Sequence, residues 1–243
     1  MDNQKAPEDR PYIINFMIQS VDGKVTGNWY ELPEGEFAMI DYCEKEQFLK
    51  ADAFLNGINT YLETYVRENF TPDLTPFKGK KANKNEDYKS DKKCKMYAIC
   101  FDRKGRCPFA QSAFESKLLP RENVEVISVL SELASDEYIL YLKSIGLSYI
   151  FAGKDDIDIK VALKKLKDIF GINKILMEGG PTLNGAFLKE NLLDELVLYI
   201  SPLISGNDND KPLYINGTVR PLDLVGTFVN KDGTLLLRYK FKK

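Results

Sequence analysis

The sequence predicts an α/β fold with a mostly parallel sheet and an antiparallel edge. Two patterns carry that prediction. Short β-rich runs alternate with stretches of helical periodicity, and the chain finishes in strands rather than helices. At 243 residues, 44% of them apolar, it is long enough to bury a sizeable core. Beyond a polar tail over residues 1–10, residues 11–243 read as a single domain.

Residues 12–19, YIINFMIQ, are nearly continuous in apolar side chains, as a strand covered on both faces requires. EFAMIDYCEKEQFLK, 36–50, reads as a helix leading into the short apolar run AFLNG, 53–57. KMYAICF (95–101) and VEVISV (124–129) are further strands. Ser135 caps a helix in which Tyr138, Tyr141, Leu142 and Ile145 recur at helical spacing, with Gly146 just past its end. SYIFAG, 148–153, is the next strand. Asp158 then opens an amphipathic helix whose Ala162, Leu163, Leu166, Ile169 and Phe170 share a face, and Gly171 stops it. KILM (174–177) is a strand, 182–190 is helical, and ELVLYISPLI (195–204) is a strand. The tail 224–241 reads as a hairpin turning at Asp232-Gly233. The lysine-rich segment 77–95, FKGKKANKNEDYKSDKKCK, is almost free of aliphatics. It reads as a solvated loop, the alternative being a flexible arm lending charge near an anionic ligand.

Composition narrows the chemistry. The formal net charge of −2 gives no global attraction to nucleic acid or to an anionic membrane. No apolar run approaches the roughly 20 residues of a membrane-spanning helix. The opening MDNQKAPEDRP lacks the apolar core of a secretory signal, so the expected compartment is the cytoplasm. There is no histidine, which removes imidazole bases, histidine triads and most zinc sites. The four cysteines, Cys43, Cys94, Cys100 and Cys107, form no CxxC pair, so neither a metal site nor a stable disulfide is expected. Redox chemistry in such a chain needs an organic cofactor.

The stretch LMEGGPTLNG, Leu176 to Gly185, is the strongest local signal. A strand ending in Gly179-Gly180 and opening a helix at Pro181-Thr182 offers free backbone N–H groups and the positive end of a helix dipole to a phosphate. The same residues also make an ordinary strand-to-helix turn.

Residues 175–206 around this motif resemble the signature of the reductase domain of riboflavin biosynthesis, a member of the dihydrofolate-reductase-like superfamily. RPYIINFMIQSVDGKVTG, ADAFLNGINT and MYAICFDRKGR fit further stretches of that family in the same order. The resemblance runs from about Arg10 to the C-terminus. It implies a three-layer fold with helices on both faces of a mostly parallel mixed sheet, a homodimer, NADPH as cofactor, and hydride transfer to C1 of a ribosyl group on an aminopyrimidine phosphate. It also implies roles. Gly179 to Ala186, with Gly180, Pro181, Thr182 and Leu183 foremost, would hold the pyrophosphate. Thr60 would meet another part of the cofactor, and the Ile18 backbone would line the nicotinamide. Arg103 would contact the adenosine end and its 2′-phosphate, unless it is an exposed loop charge. Glu178 would face the substrate, and Asp22 and Lys24 would lie near the hydride path, although Asp22-Gly23 also favours a plain turn.

The substrate end departs from the family pattern. The family's Ser-x-Trp is replaced by NWYELPEGE with Trp29 displaced, an expected arginine is Phe48, and Arg67 stands out of register with the substrate-phosphate arginine. Four readings stay open: the riboflavin-pathway reductase, a dihydrofolate-type or other small-molecule reductase of the same superfamily, an NADPH-binding protein without catalysis, and a structural domain whose Gly-Gly turn binds nothing. For assembly, the strand LVLYI and the C-terminal hairpin are candidate homodimer surfaces or equally internal core.

Overall fold

In the computed structural model, strands and helices form where the patterning asks for them. The structure describes residues 6–46, 49–66, 70–114 and 121–242. They fall into two compact units: residues up to Pro11 with Asp52–Asn173, and Tyr12–Ala51 with Lys174–Lys243.

The first unit holds four parallel strands in the order β5-β4-β3-β2. These are β2 (Ala53–Gly57), β3 (Met96–Phe101), β4 (Val124–Leu130) and β5 (Ser148–Phe151). A short helical turn, α2 (Ile58–Thr60), follows β2. Helix α3 (Asp136–Ser144) starts where Ser135 accepts from the Tyr138 N–H. Helix α4 (Ile159–Phe170) starts where Asp158 accepts from the Val161 N–H, and it ends at Gly171, whose φ of 72° suits glycine. Its predicted apolar face is buried apart from Ile169, which is half-buried.

The second unit orders its strands β6-β1-β7-β9-β8. The strands β1 (Tyr12–Gln19), β6 (Lys174–Met177) and β7 (Glu195–Ile200) run parallel. The strands β8 (Leu222–Val229) and β9 (Leu235–Phe241) complete an antiparallel edge. Helix α1 (Pro33–Glu46) stacks Tyr42 on Phe16, with ring centroids 4.1 Å apart. Helix α5 (Pro181–Lys189) carries the chain from β6 to β7. The α/β class with a mostly parallel sheet and a C-terminal antiparallel hairpin is what the sequence led one to expect.

Strand β7 and helix α1 shift their bounds for physical reasons, whereas the hairpin turn stays where the sequence puts it. Strand β7 stops at Ile200, because Pro202 has no N–H to give a ladder. Helix α1 starts three residues early, at Pro33, which suits a first helical position. The hairpin turns at Asp232-Gly233, with Gly233 at φ 88° and Thr234 bonding the Asp232 carboxylate through N–H and hydroxyl.

The lysine-rich segment is irregular but not merely solvated. Lys84 donates to the carbonyls of Glu132 and Ala134, Lys89 to that of Ile169, and Lys92 to the Ser112 hydroxyl. Of the tail, residues 1–5 lie outside the described residues, and Lys167 donates to the carbonyl of Pro7. Among the described residues, no helix is long and apolar enough to cross a membrane.

Candidate active site

Each residue singled out from the sequence stands at or just beyond the carboxyl end of a parallel strand. Ligands of open α/β sheets gather at that end. In the second unit, β1 carries Ile18 near its end, and Asp22 and Lys24 lie in the turn beyond it. Strand β6 runs into Glu178 and the Gly-Gly turn. In the first unit, Thr60 closes the turn after β2, and Arg103 follows β3.

Strand β6 stops at Met177, opposite Asn15, whereas β1 continues to Gln19 along β7. The β1 backbone around Ile18 is therefore paired with β7 but extends past the end of the β6 ladder. Glu178 is half-buried where β6 ends. Gly179 has φ 97°, a conformation that strains any residue with a side chain, and a Cβ there would press on the Met17 methyl at 3.3 Å. The Gly179–Gly180 peptide is cis.

Gly180 is the N-cap of α5, Pro181 occupies its first turn, and no side chain caps it. The first-turn N–H groups thus keep the partner-free geometry of a helix start, with glycine backbone before them and Thr182 exposed. That arrangement fits a phosphate. Gly185 serves packing instead: its absent Cβ would fall 1.7 Å from the Ile215 carbonyl oxygen. The glycines of the motif therefore divide into two kinds.

Asp22 is fastened to a neighbouring loop. Its carboxylate accepts from the Ser20 hydroxyl at 2.6 Å and from the N–H groups of Ser205 and Gly206 at 3.0 Å each. The Ser20 bond first, then the two N–H groups, hold its pKa down at about 2. Lys24 donates its ammonium to the Asp210 carbonyl at 3.2 Å. Trp29 is a packing residue: it is buried, its indole N–H donates to the Thr26 carbonyl, and it stacks on Tyr30.

In the first unit, Arg103 is half exposed and pairs with Asp156 at 3.5 Å. Its carbonyl accepts from both the N–H and the hydroxyl of Ser131. The adjoining loop is built on Asp102, which is fully buried and accepts from the N–H groups of Arg106 and Cys107. Burial raises the Asp102 pKa, and those N–H groups oppose the shift. Phe48 and Arg67, which bear on the substrate-phosphate pattern, lie outside the described residues.

Sequence reasoning missed a polar cluster under the Gly-Gly turn: Asn15, Asn184 and Tyr214, joined by hydrogen bonds. The one signal available was an asparagine inside the apolar run of β1.

An α/β architecture with a glycine-bordered strand-to-helix turn and polar groups at the strand ends has the layout of a phosphate- or nucleotide-binding protein. Residues 11–236 match the family model of the RibD C-terminal domain, and the chain belongs to that oxidoreductase family of riboflavin biosynthesis. The 2,5-diamino-6-ribosylamino-4(3H)-pyrimidinone 5′-phosphate reductase of Methanothermobacter thermautotrophicus is 28% identical over 207 residues, spanning 84% of this chain and 83% of that protein. The protein of the same name from Archaeoglobus fulgidus is 24% identical over 212 residues, spanning 86% and 87%. In fold, a pyrimidine reductase-like protein of Corynebacterium diphtheriae superposes with a TM-score of 0.66 at 21% identity, over 97% of this chain and 93% of that one.

Proposed function

We propose that this chain is an NADPH-dependent reductase acting at C1 of the ribosyl group of an aminopyrimidine ribosyl phosphate. The observation that carries the reading is the uncapped start of α5 behind Gly179-Gly180, with Glu178 beside it. The names borne by its relatives support the substrate class.

When bound, the nicotinamide supplies the hydride, and the ring oxygen leaving C1 takes up a proton. The protein's share is orientation, exclusion of water and delivery of that proton. Gly179, Gly180, Thr182 and Leu183 hold the pyrophosphate through backbone N–H groups, and Pro181, which has no N–H, sets the helix start that faces it. The Ile18 backbone lines the nicotinamide, and Thr60 contacts the cofactor. The guanidinium of Arg103 pairs with the 2′-phosphate, which competes with Asp156 for it.

Asp22, with a pKa near 2, has no proton to give at neutral pH, so its part is to position the turn after β1. Glu178, facing the ribose, and Lys24 remain as polar groups able to orient hydroxyls or relay the proton. We further propose a homodimer through the edge strand β8. Its Leu224, Val225, Phe228 and Val229 are 58%, 44%, 56% and 65% exposed, whereas the LVLYI strand β7 is internal.

Calorimetric titration with NADPH and NADH tests the cofactor. Turnover assays with 2,5-diamino-6-ribosylamino-4(3H)-pyrimidinone 5′-phosphate, 5-amino-6-(5-phosphoribosylamino)uracil and dihydrofolate test the substrate. Tight NADPH binding with oxidation on either pyrimidine supports the proposal. Binding without oxidation on any substrate leaves a non-catalytic nucleotide-binding protein, a reading favoured by the unmatched substrate-phosphate arginines. Oxidation on dihydrofolate alone reassigns the substrate, and no binding of either nucleotide refutes the proposal.

A further inference from the structure

The cluster under the Gly-Gly turn is fully connected. Asn15 is wholly buried in β1. Its amide nitrogen donates to the Met177 carbonyl at 3.1 Å and to Asn184 Oδ1 at 3.3 Å, and its Oδ1 accepts from the Tyr214 hydroxyl at 2.6 Å. Asn184, also wholly buried, donates through Nδ2 to the Leu213 carbonyl at 3.0 Å. The Ile215 N–H donates to the Pro181 carbonyl at 3.1 Å, and the Asn184 N–H to the Gly180 carbonyl at 2.9 Å.

These bonds converge on one place. Met177 is the last residue of β6, and its carbonyl is the last strand group before Glu178. Gly180 and Pro181 start α5. The residues 213–215 close the cluster from the other side. Strand patterning at position 15 asks only for an apolar side chain, and the net stability gained from each such bond is small. What a satisfied buried network adds is a single geometry.

We propose that Asn15, with Tyr214 and Asn184, is a positioning residue for the active site. By fixing the direction in which the backbone leaves β6, it aims Glu178 and the phosphate-facing N–H groups of Thr182 and Leu183. Its effect on ligand binding rests on the dinucleotide reading above; its effect on the turn does not.

The test uses Asn15→Leu and Tyr214→Phe in the full chain, at a temperature where circular dichroism shows both folded. Two quantities are read: amide hydrogen exchange at Asn184 and Ile215, and the Kd for NADPH. The expected result is that exchange at these two amides speeds up roughly tenfold in Asn15→Leu while the amides of β9 are unchanged. The NADPH Kd rises about tenfold in Asn15→Leu and by a smaller factor in Tyr214→Phe. A role in stability alone would lower the melting temperature and leave the Kd of the folded protein unchanged; that result overturns the proposal. Unchanged exchange overturns it whatever the Kd. If Asn15→Leu does not fold, Tyr214→Phe, which removes a single hydroxyl, decides by the same two readouts. Failure of the wild-type chain to bind NADPH refutes the dinucleotide reading instead, and the exchange result still decides whether the network sets the turn.

Discussion

Gly185→Ala sets two physical effects against each other. Gly185 is the fifth residue of α5, where alanine gains about 1 kcal/mol of helix propensity. A Cβ at this position would lie 1.7 Å from the Ile215 carbonyl oxygen, 2.7 Å from its carbon and 3.3 Å from the Gly217 nitrogen. Ordinary contact begins a little above 3 Å, so the segment around Ile215 must retreat by about 1.5 Å. That displacement carries the Ile215–Pro181 bond at 3.1 Å and the Asn184–Leu213 bond at 3.0 Å out of hydrogen-bonding range. Each lost bond costs about 1 kcal/mol, and more where a buried partner is left unpaired. Together they cost about 2–4 kcal/mol against a gain of about 1, so the clash wins by roughly 2 kcal/mol. In a chain of this size that is a drop of about 5 °C in melting temperature. Urea denaturation monitored by far-ultraviolet circular dichroism, with calorimetry for the Tm, measures it. An alanine variant as stable as the wild type, or more so, would show that propensity alone governs the site and that the close approach of Ile215 to α5 is not formed.

Other expectations are simpler. The folded-state pKa of Asp22 is depressed, so its carboxylate bonds contribute fully above the unfolded value near 4 and are lost as pH falls towards 2. Asp22→Asn should therefore show a lower urea midpoint than wild type at pH 7, with the gap closing between about pH 4 and pH 2; a pH-independent gap would contradict the assignment. Arg103→Ala should weaken NADPH binding by roughly 10- to 100-fold and NADH binding by less than about twofold, by calorimetry. Equal losses for both nucleotides would place Arg103 away from the 2′-phosphate. Phe228→Lys, on the exposed edge strand β8, should shift the chain from dimer to monomer in light scattering; an unchanged mass would move the interface elsewhere.

Local chemistry explains what could be read in advance. Helix α4 shows its cap, apolar stripe and glycine stop within 14 consecutive residues, Asp158 to Gly171, and the structure keeps all three. The strand β2 is AFLNG, residue for residue. Glu178 and the glycines after it were visible because strand, turn and helix start adjoin in sequence. Asn15, Asn184 and Tyr214 were not, since their hydrogen bonds join residues 169 and 199 positions apart and no local periodicity registers such a pairing. The division of labour between Gly179 and Gly185 was hidden for the same reason, because Ile215, which fills the space beside Gly185, lies on a distant segment. Asp22 is intermediate: its turn was legible, but its grip on Ser205 and Gly206 needed the fold.

The lysine-rich segment has a last consequence, for chemical modification. Lys84 and Lys89 hold that segment by donating N–H bonds to main-chain carbonyls, and neutral oxygens are less sensitive to ionic strength than carboxylate partners are. Raising the salt concentration should therefore weaken the segment's ion pairs, Lys81 and Lys84 with Asp136 and Asp87 with Lys165, and leave these carbonyl bonds in place. Reductive methylation preserves the ammonium charge, whereas acetylation removes both the charge and two of the three N–H donors. Acetylated at Lys84 and Lys89, the segment would loosen and its neighbouring lysines would open to trypsin, which makes the protease digestion pattern a sensitive record of the charge state of two side chains.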